Sequence, residues 1–279
     1  MAEKPAVTDV ADALALEHVS RTFVTPGGGV YQALDDITLT VCEGAFVAIV
    51  GPSGCGKSTL LNVAAGLLAP SSGQVRVDGA PLSGLNRRAT YMFQQDALLP
   101  WKTVRENVSL GLILAGVAKA DALRQADVWL ARVGLTSFAA HYPSQLSGGM
   151  RKRASMAQNW IIDRRTLLMD EPFSALDVHT RQRMETELLA LWDEGAVRKT
   201  VVFVTHDLEE AIALADEVVV LSAGPASRIV ARHPVPLDRP RDLMELRTTT
   251  TFLELYRALW AVLREEVVKS QRHAEGPRG

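Results

Sequence analysis

The run Ala45-Phe46-Val47-Ala48-Ile49-Val50-Gly51-Pro52-Ser53-Gly54-Cys55-Gly56-Lys57-Ser58-Thr59 joins a strand, a glycine turn and a helix start. Its first six residues are an unbroken apolar run, the mark of a strand covered on both faces of a sheet. A glycine-rich turn follows at once, and helical sequence begins near Lys57. Gly51 to Thr59 has the spacing G-x-x-x-x-G-K-[ST], set between strand and helix as its chemistry requires. The glycines let the backbone curl so that successive N–H groups face phosphate oxygens. The helix N-terminus adds partial positive charge and Lys57 a full one. Ser58 supplies a hydroxyl suited to magnesium. The competing reading is an ordinary glycine turn that caps a helix.

Downstream, Leu167-Leu168-Met169-Asp170-Glu171-Pro172 is an apolar strand ending in two carboxylates. Asp170 is placed to hold magnesium through water, and Glu171 to polarise the water that attacks a γ-phosphate. Alone, such a pair is a solvated strand end; beside the glycine loop it reads as a nucleotide-hydrolysing site. Strand signals at Thr166 to Met169, Thr200 to Val204 and Val218 to Leu221 alternate with helical stretches, the βαβ pattern of a parallel sheet. Between them, Trp101 to Ile162 reads as helical, opened by a capping box of Thr103 and Glu106. Upstream, apolar alternation begins near Leu14 and returns through Leu34, Ile37, Leu39 and Val41, predicting a small antiparallel sheet. The fold class is therefore α/β: a P-loop nucleotide-binding core with an antiparallel β-subdomain and an inserted α-helical subdomain. Past Ala223 the sequence reads as a loop-rich tail. Within it Phe252, Leu255, Tyr256, Leu259, Leu263 and Val267 mark one face of a terminal amphipathic helix.

The 279 residues carry 30 basic and 32 acidic side chains for a formal net charge of -2, so no global field would hold the chain to nucleic acid or anionic lipid. The two cysteines, Cys42 and Cys55, give no disulfide framework and fit a reducing cytosol. The N-terminal sequence lacks the apolar stretch and cleavage site of a signal peptide, and the apolar runs are too short to span a bilayer.

Leu146-Ser147-Gly148-Gly149-Met150 opens another helical stretch before the acidic strand, and with it the chain resembles the ATP-binding cassette family. Physically, Ser147 and two glycines at a helix N-terminus offer N–H donors to phosphate. The resemblance implies that Ser147, Gly148 and Gly149 bind the ATP held on the opposite subunit, in a head-to-tail homodimer with two composite sites. Gln94, in Tyr91-Met92-Phe93-Gln94, matches the glutamine that senses magnesium and faces the transporter. Ser174-Ala175-Leu176-Asp177 matches the loop that crosses the dimer interface, and His206 the switch histidine that contacts γ-phosphate. Phe23 lies where the family usually stacks an aromatic on adenine, with Tyr31 the nearest substitute and core packing the alternative. Met150, Lys152 and Gln158 depart from the commoner glutamine and arginine pattern, which leaves the contacts at that helix end open.

The resemblance covers about Leu14 to Gly224. The expected division is a tail over 1–13, an ATPase domain over 14–225 with its helical insertion about 97–163, and a C-terminal tail over 226–279. Met150, the run Asp96 to Trp101 and the C-terminal helix are similar to the nitrate, sulfonate and taurine importer group. This implies ATP and Mg2+ as cofactors, two integral-membrane permease subunits and an extracytoplasmic solute-binding protein as partners, and a peripheral place on the cytoplasmic face of the inner membrane. Gln95 to Trp101 is expected to form the permease groove and to expose Leu98, Leu99 and Trp101; subdomain core is the alternative. Cys55, within the loop, is either acidified by the helix N-terminus and alkylation-sensitive, or inert. A soluble cassette ATPase clamping nucleic acid in repair or translation is the alternative function; such proteins usually carry two cassettes or a long coiled coil, and neither is evident. A regulatory ATP binder without turnover is a third.

Overall fold

The structure is a computed structural model and describes residues 11–174, 176–194 and 198–275. The chain opens with two long strands, β1 (Asp12–Val24) and β2 (Val30–Cys42). β3 (Phe46–Val50) leads into α1 (Lys57–Ala64), followed by β4 (Ser72–Val77), β5 (Ala80–Pro81) and β6 (Ala89–Met92). Three helices, α2 (Val104–Leu114), α3 (Lys119–Arg132) and α4 (Gly148–Trp160), fill the middle of the chain. Strand and helix then alternate through β7 (Thr166–Asp170), α5 (Val178–Asp193), β8 (Thr200–Thr205), α6 (Leu208–Leu214) and β9 (Glu217–Leu221). β10 (Ile229–Pro234), the short α7 (Leu243–Leu246) and α8 (Thr250–Glu275) follow.

Two sheets result. The antiparallel one has the order β2-β1-β4-β5, and the larger one β10-β9-β3-β8-β7-β6. In the larger sheet β3, β6, β7, β8 and β9 run parallel, and β10 pairs antiparallel with β9 at the edge. The period of two along each central strand divides the core in two. Phe46, Ala48 and Val50 of β3, with Val201 and Phe203 of β8, face α5, α6 and α8; Val47, Ile49, Val202 and Val204 face α1 and the antiparallel sheet. Both faces are covered, which is why AFVAIV can be apolar without a break. The expected α/β architecture is thus the observed one.

A third core sits in the helical block, where Val104 and Val108 of α2 meet Ala126 and Leu130 of α3 and Ala154 and Ala157 of α4. The capping box is formed: Thr103 accepts from Glu106 N, and Glu106 Oε2 accepts from Thr103 N at 2.9 Å. Leu98 is buried in this core, so the expected exposed cluster of Leu98, Leu99 and Trp101 reduces to Trp101, which is 70% exposed, beside a half-buried Leu99. Packing within the subdomain outweighs the surface role for Leu98.

The segment after Ala223 is more ordered than its glycines and prolines suggest. β10 extends the sheet, and Arg241 donates to the carbonyls of Ala213 and Ala215 at 3.0 and 2.9 Å, satisfying the C-terminal end of α6. Phe252, Leu259 and Leu263 of α8 enter the core on the β3 side, with Leu255, Tyr256 and Val267 packed at its margin. Ala223 N donates to the buried Glu266 at 2.8 Å, tying α8 to the end of β9. Residues 1–10, read as tail, lie outside the described residues, as do Ala175 and 276–279; β1 begins at Asp12, two residues before the expected alternation. Among the described residues no helix is long and apolar enough to cross a membrane.

Candidate active site

The parallel strands deliver four loops to one edge of the sheet. The first, from β3, is the glycine loop. Gly54 and Gly56 have φ of 76° and 95°, the left-handed region in which a side chain is strained. A Cβ on Gly56 would also lie 3.2 Å from the Ala33 carbonyl and 3.0 Å from Leu34 Cδ2. Gly51, Pro52 and Cys55 are buried and Ser53 and Gly54 exposed, so the loop presents its tip to solvent. Lys57 is buried; its Nζ donates back to Gly51 O at 2.9 Å and Pro52 O at 3.0 Å, which holds the ammonium over the loop. α1 starts there, so the N–H groups of Lys57, Ser58 and Thr59 belong to the unpaired first turn of a helix. The loop and helix start form an anion cradle with a fixed cation.

β7 brings the carboxylates. Asp170 Oδ1 accepts from Ser58 Oγ at 2.9 Å, and Oδ2 from Tyr91 Oη at 3.3 Å. Burial raises the Asp170 carboxyl above its ordinary range, the hydroxyls of Ser58 and Tyr91 pull it down, and neighbouring Glu171 pushes it up again. The Tyr91 phenol is raised well above its usual value by burial and by the adjacent Asp170 charge. Glu171 has φ of 43°, a left-handed conformation that costs a non-glycine residue about 1–3 kcal/mol and persists where the surroundings impose it. Its amide donates to Val204 O at 3.0 Å. Its Oε2 accepts from Gln94 Nε2 at 3.2 Å and lies 3.3 Å from His206 Nδ1. One carboxylate on the loop after β7 thus gathers side chains from the loops after β6 and β8.

The residues at α4 and α5 form a second group. Ser147 and Gly148 are exposed, and Ser147 Oγ accepts from Met150 N at 3.3 Å to cap α4. A Cβ on Gly149 would lie 2.7 Å from Thr180 Cγ2, so a side chain there would press on the first turn of α5 where α4 meets it. Asp177 caps α5 by accepting from Thr180 N at 3.0 Å, and hydrogen bonds from Thr180 hold its carboxyl below the usual range. No hydrogen bond or ion pair joins Ser147, Gly148, Gly149 or Asp177 to Gly51–Thr59 among the described residues. Phe23 lies apart from both groups, opposite Tyr31 in the β1–β2 ladder, half-buried and with the Arg21 guanidinium 4.7 Å from its ring centroid.

Three details correct or complete the sequence reading. Cys55 is 1% exposed, and burial raises its thiol pKa against the lowering influence of Lys57, so the acidified, reactive cysteine is not what the fold builds. Lys152, which departs from the family pattern, donates to Gln94 O at 2.6 Å and lies 3.4 Å from Asp96, so α4 supports the Gln94 loop directly. Tyr91 and Arg181 belong to the site without any motif in the sequence that marks them. Assigning Ala89–Met92 as a strand beside β7 would have brought Tyr91 to the acidic end, since it pairs with Leu168 two residues before Asp170.

The ABC transporter family profile matches residues 34–174. An uncharacterised ABC transporter ATP-binding protein of Methanocaldococcus jannaschii is 44% identical over 257 residues, 92% of this chain and 93% of that relative. The nitrate import ATP-binding protein NrtD of Synechococcus elongatus is 42% identical, covering 82% of this chain and 83% of the relative. The taurine import ATP-binding protein TauB of Yersinia pestis is 46% identical, covering 69% and 75%. A solved dimeric ATP-binding cassette in a post-hydrolysis state with ADP and phosphate superposes with a TM-score of 0.70 at 32% identity, over 81% of this chain and 100% of that one. At these identities and coverages the chain belongs to the ABC transporter family, as an ATP-binding subunit that hydrolyses ATP to drive transport.

Proposed function

We propose that this chain powers an importer: two copies clasp two ATP molecules, dock on two integral-membrane permease subunits, and drive uptake of a small oxyanion of the nitrate, sulfonate or taurine class brought by an extracytoplasmic solute-binding protein. The observation that carries the catalytic part is the meeting of Gln94 and His206 on Glu171 beside the Ser58–Asp170 pair. In this reading Lys57 and the amides of Gly51–Thr59 hold the phosphates, Glu171 polarises the attacking water, and His206 contacts the γ-phosphate. Ser58, Asp170 and Gln94 are oxygen donors of the kind magnesium takes, and with a single carboxylate among them they suit an ion that arrives on the nucleotide phosphates. Bound there, magnesium would neutralise phosphate charge. Phe23 is assigned to the adenine.

The exposed Ser147–Gly149 turn, lying apart from the loop of its own chain, is assigned to the ATP of the second copy, with Asp177 at the interface between them. The dimeric state of the solved cassette supports this, and the names of the nitrate and taurine relatives support import of such anions. The permease is assigned to a groove of about 470 Å³ lined by Phe93, Ala97, Gly111, Leu114 and Asn159, between the sheet edge and the helical block. Phe93 and Leu114 are 44% and 79% exposed there. With docking assigned to this groove, permease movement and the catalytic carboxylate would share the Gln94 loop.

The test is capture of the permease from solubilised membranes by the tagged chain. Leu114→Glu puts a charge in the groove and should abolish capture while ATP hydrolysis by the isolated chain stays unchanged. Undiminished capture by that variant would contradict the assignment.

A further inference from the structure

The phosphate loop, Glu171 and His206 all leave the C-terminal ends of parallel strands. The N-terminal ends of β7 and β8 border a separate concavity of about 630 Å³. None of the residues assigned above to nucleotide or magnesium lines it. Its walls come from both sides of the molecule: α3 and the last turn of α4 on one, the end of α5 and the residues entering β7 and β8 on the other.

Six cationic side chains line this cavity, Arg88, Arg132, Arg164, Arg165, Arg198 and Lys199, against two carboxylates, Asp163 and Glu194. That local excess stands out in a chain of formal net charge -2. Arg88, Arg165 and Arg198 pair with Asp78, Glu43 and Asp193, which do not line the cavity, and Arg132 pairs with Glu194 at 3.1 Å. Arg164 has no ion pair or side-chain hydrogen bond among the described residues. Lys199 is turned to backbone, with Nζ 2.5 Å from Arg164 O. Arg164, which also borders the groove assigned to the permease, is therefore the cation of the set left without a partner among the described residues.

The same walls hold Trp129, Trp160 and Trp192, three of the chain's five tryptophans. Arg132 lies 4.8 Å from the Trp129 ring and Arg198 4.6 Å from that of Trp192, so indole and guanidinium alternate. The Trp192 indole donates to Lys199 O at 2.6 Å, whereas that of Trp160 has no acceptor among the described residues. A guanidinium recognises the oxygens of a sulfonate or carboxylate, and indole faces recognise a flat apolar body. The volume is that of a small-ligand site.

We propose that this cavity is a second ligand site, separate from the nucleotide, for a planar organic anion: an aromatic ring system bearing a sulfonate or carboxylate. Trp129 and Trp160 bound the ring, and Arg164 with Arg132 takes the anionic group. A ligand held there touches the helical block and the sheet core at once, and so ties one to the other.

Isothermal titration of the full chain with naphthalene-2-sulfonate, in saturating ADP, tests this. One-site saturable binding is expected, indifferent to ADP, about tenfold or more tighter than for neutral 2-naphthalenemethanol, and weakened about tenfold in Arg164→Glu and in Trp129→Ala. No saturable binding, competition by ADP, equal affinity for the neutral probe, or affinity unchanged in both variants would each overturn the proposal. The sulfonate-to-alcohol comparison needs no variant, so a misfolded substitution does not remove the test.

Discussion

Arg181 donates from Nη1 to Asp207 Oδ2 at 2.9 Å, and the same guanidinium reaches Leu176 O at 3.3 Å. One cation near the start of α5 thereby links the loop that carries Asp177 to the loop that carries His206. Asp207 is committed from its other side as well: Oδ1 accepts from Glu209 N at 2.9 Å and Glu210 N at 3.2 Å, and its own amide donates to Thr205 Oγ1 at 3.0 Å. His206 therefore sits on a backbone fixed at both neighbours while its ring stays exposed.

Arg181→Ala should loosen that backbone. Both partners are about three-quarters buried, and a hydrogen bond to a charged group there is worth about 2 kcal/mol. The turnover rate is expected to fall about tenfold while affinity for a fluorescent ADP analogue stays within about twofold, because the phosphate loop is untouched. Equal losses in both would show that Arg181 supports the fold in general instead.

Tyr91→Phe tests the pairing with Asp170. The lost hydroxyl favours the ionised carboxylate, so its removal lets the Asp170 pKa, already raised by burial, rise further. Ionised Asp170 is the active form in the proposed mechanism, and a higher pKa means that it is protonated at a higher pH on the way down. The acid limb of the pH–rate profile should move to higher pH. A limb that stays put or moves lower contradicts the assignment.

N-ethylmaleimide should label exposed Cys42 and spare Cys55. Burial outweighs the lowering effect of Lys57 on the Cys55 thiol, and an undeprotonated buried sulfur is a poor nucleophile. Intact-mass measurement of the native protein should find a single adduct, and peptide mapping should place it on Cys42. Rapid labelling of Cys55 would restore the reactive reading.

How much of this was open to sequence reading divides along physical lines. The glycine loop and the Asp170–Glu171 strand were legible because glycine spacing dictates local backbone and a doubly covered strand must be apolar. β10 was not: its burial alternates between half-buried and exposed at a sheet edge, and Arg232, His233 and Pro234 carry little strand signal. Arg181 looks in sequence like any helical arginine, and only the approach of α5 to the Asp207 loop gives it a partner. For Cys55, the helix N-terminus was visible, but the burial of its sulfur beneath Gly51 depends on the folded loop. Leu98 was ambiguous for a similar reason, since apolar residues next to a helix start serve a groove or a core equally well.

The terminal helix offers a stability test. Leu259 is fully buried and Leu253 is 42% exposed on the same helix. Leu259→Ala should cost about 3 kcal/mol of unfolding free energy by urea titration, and Leu253→Ala less than about 0.5 kcal/mol. Equal effects would mean that α8 does not pack against the sheet core in solution.

In the proposed dimer, nucleotide is shared between two copies, with Lys57 on one side and Ser147 on the other. Sedimentation velocity of Glu171→Gln protein in ATP and magnesium tests that sharing. A stable ATP-dependent dimer is expected, and it should disappear when Ser147→Arg is added, although the double variant still binds ATP. A Glu171→Gln protein that saturates with ATP and sediments as a monomer at every concentration would contradict it.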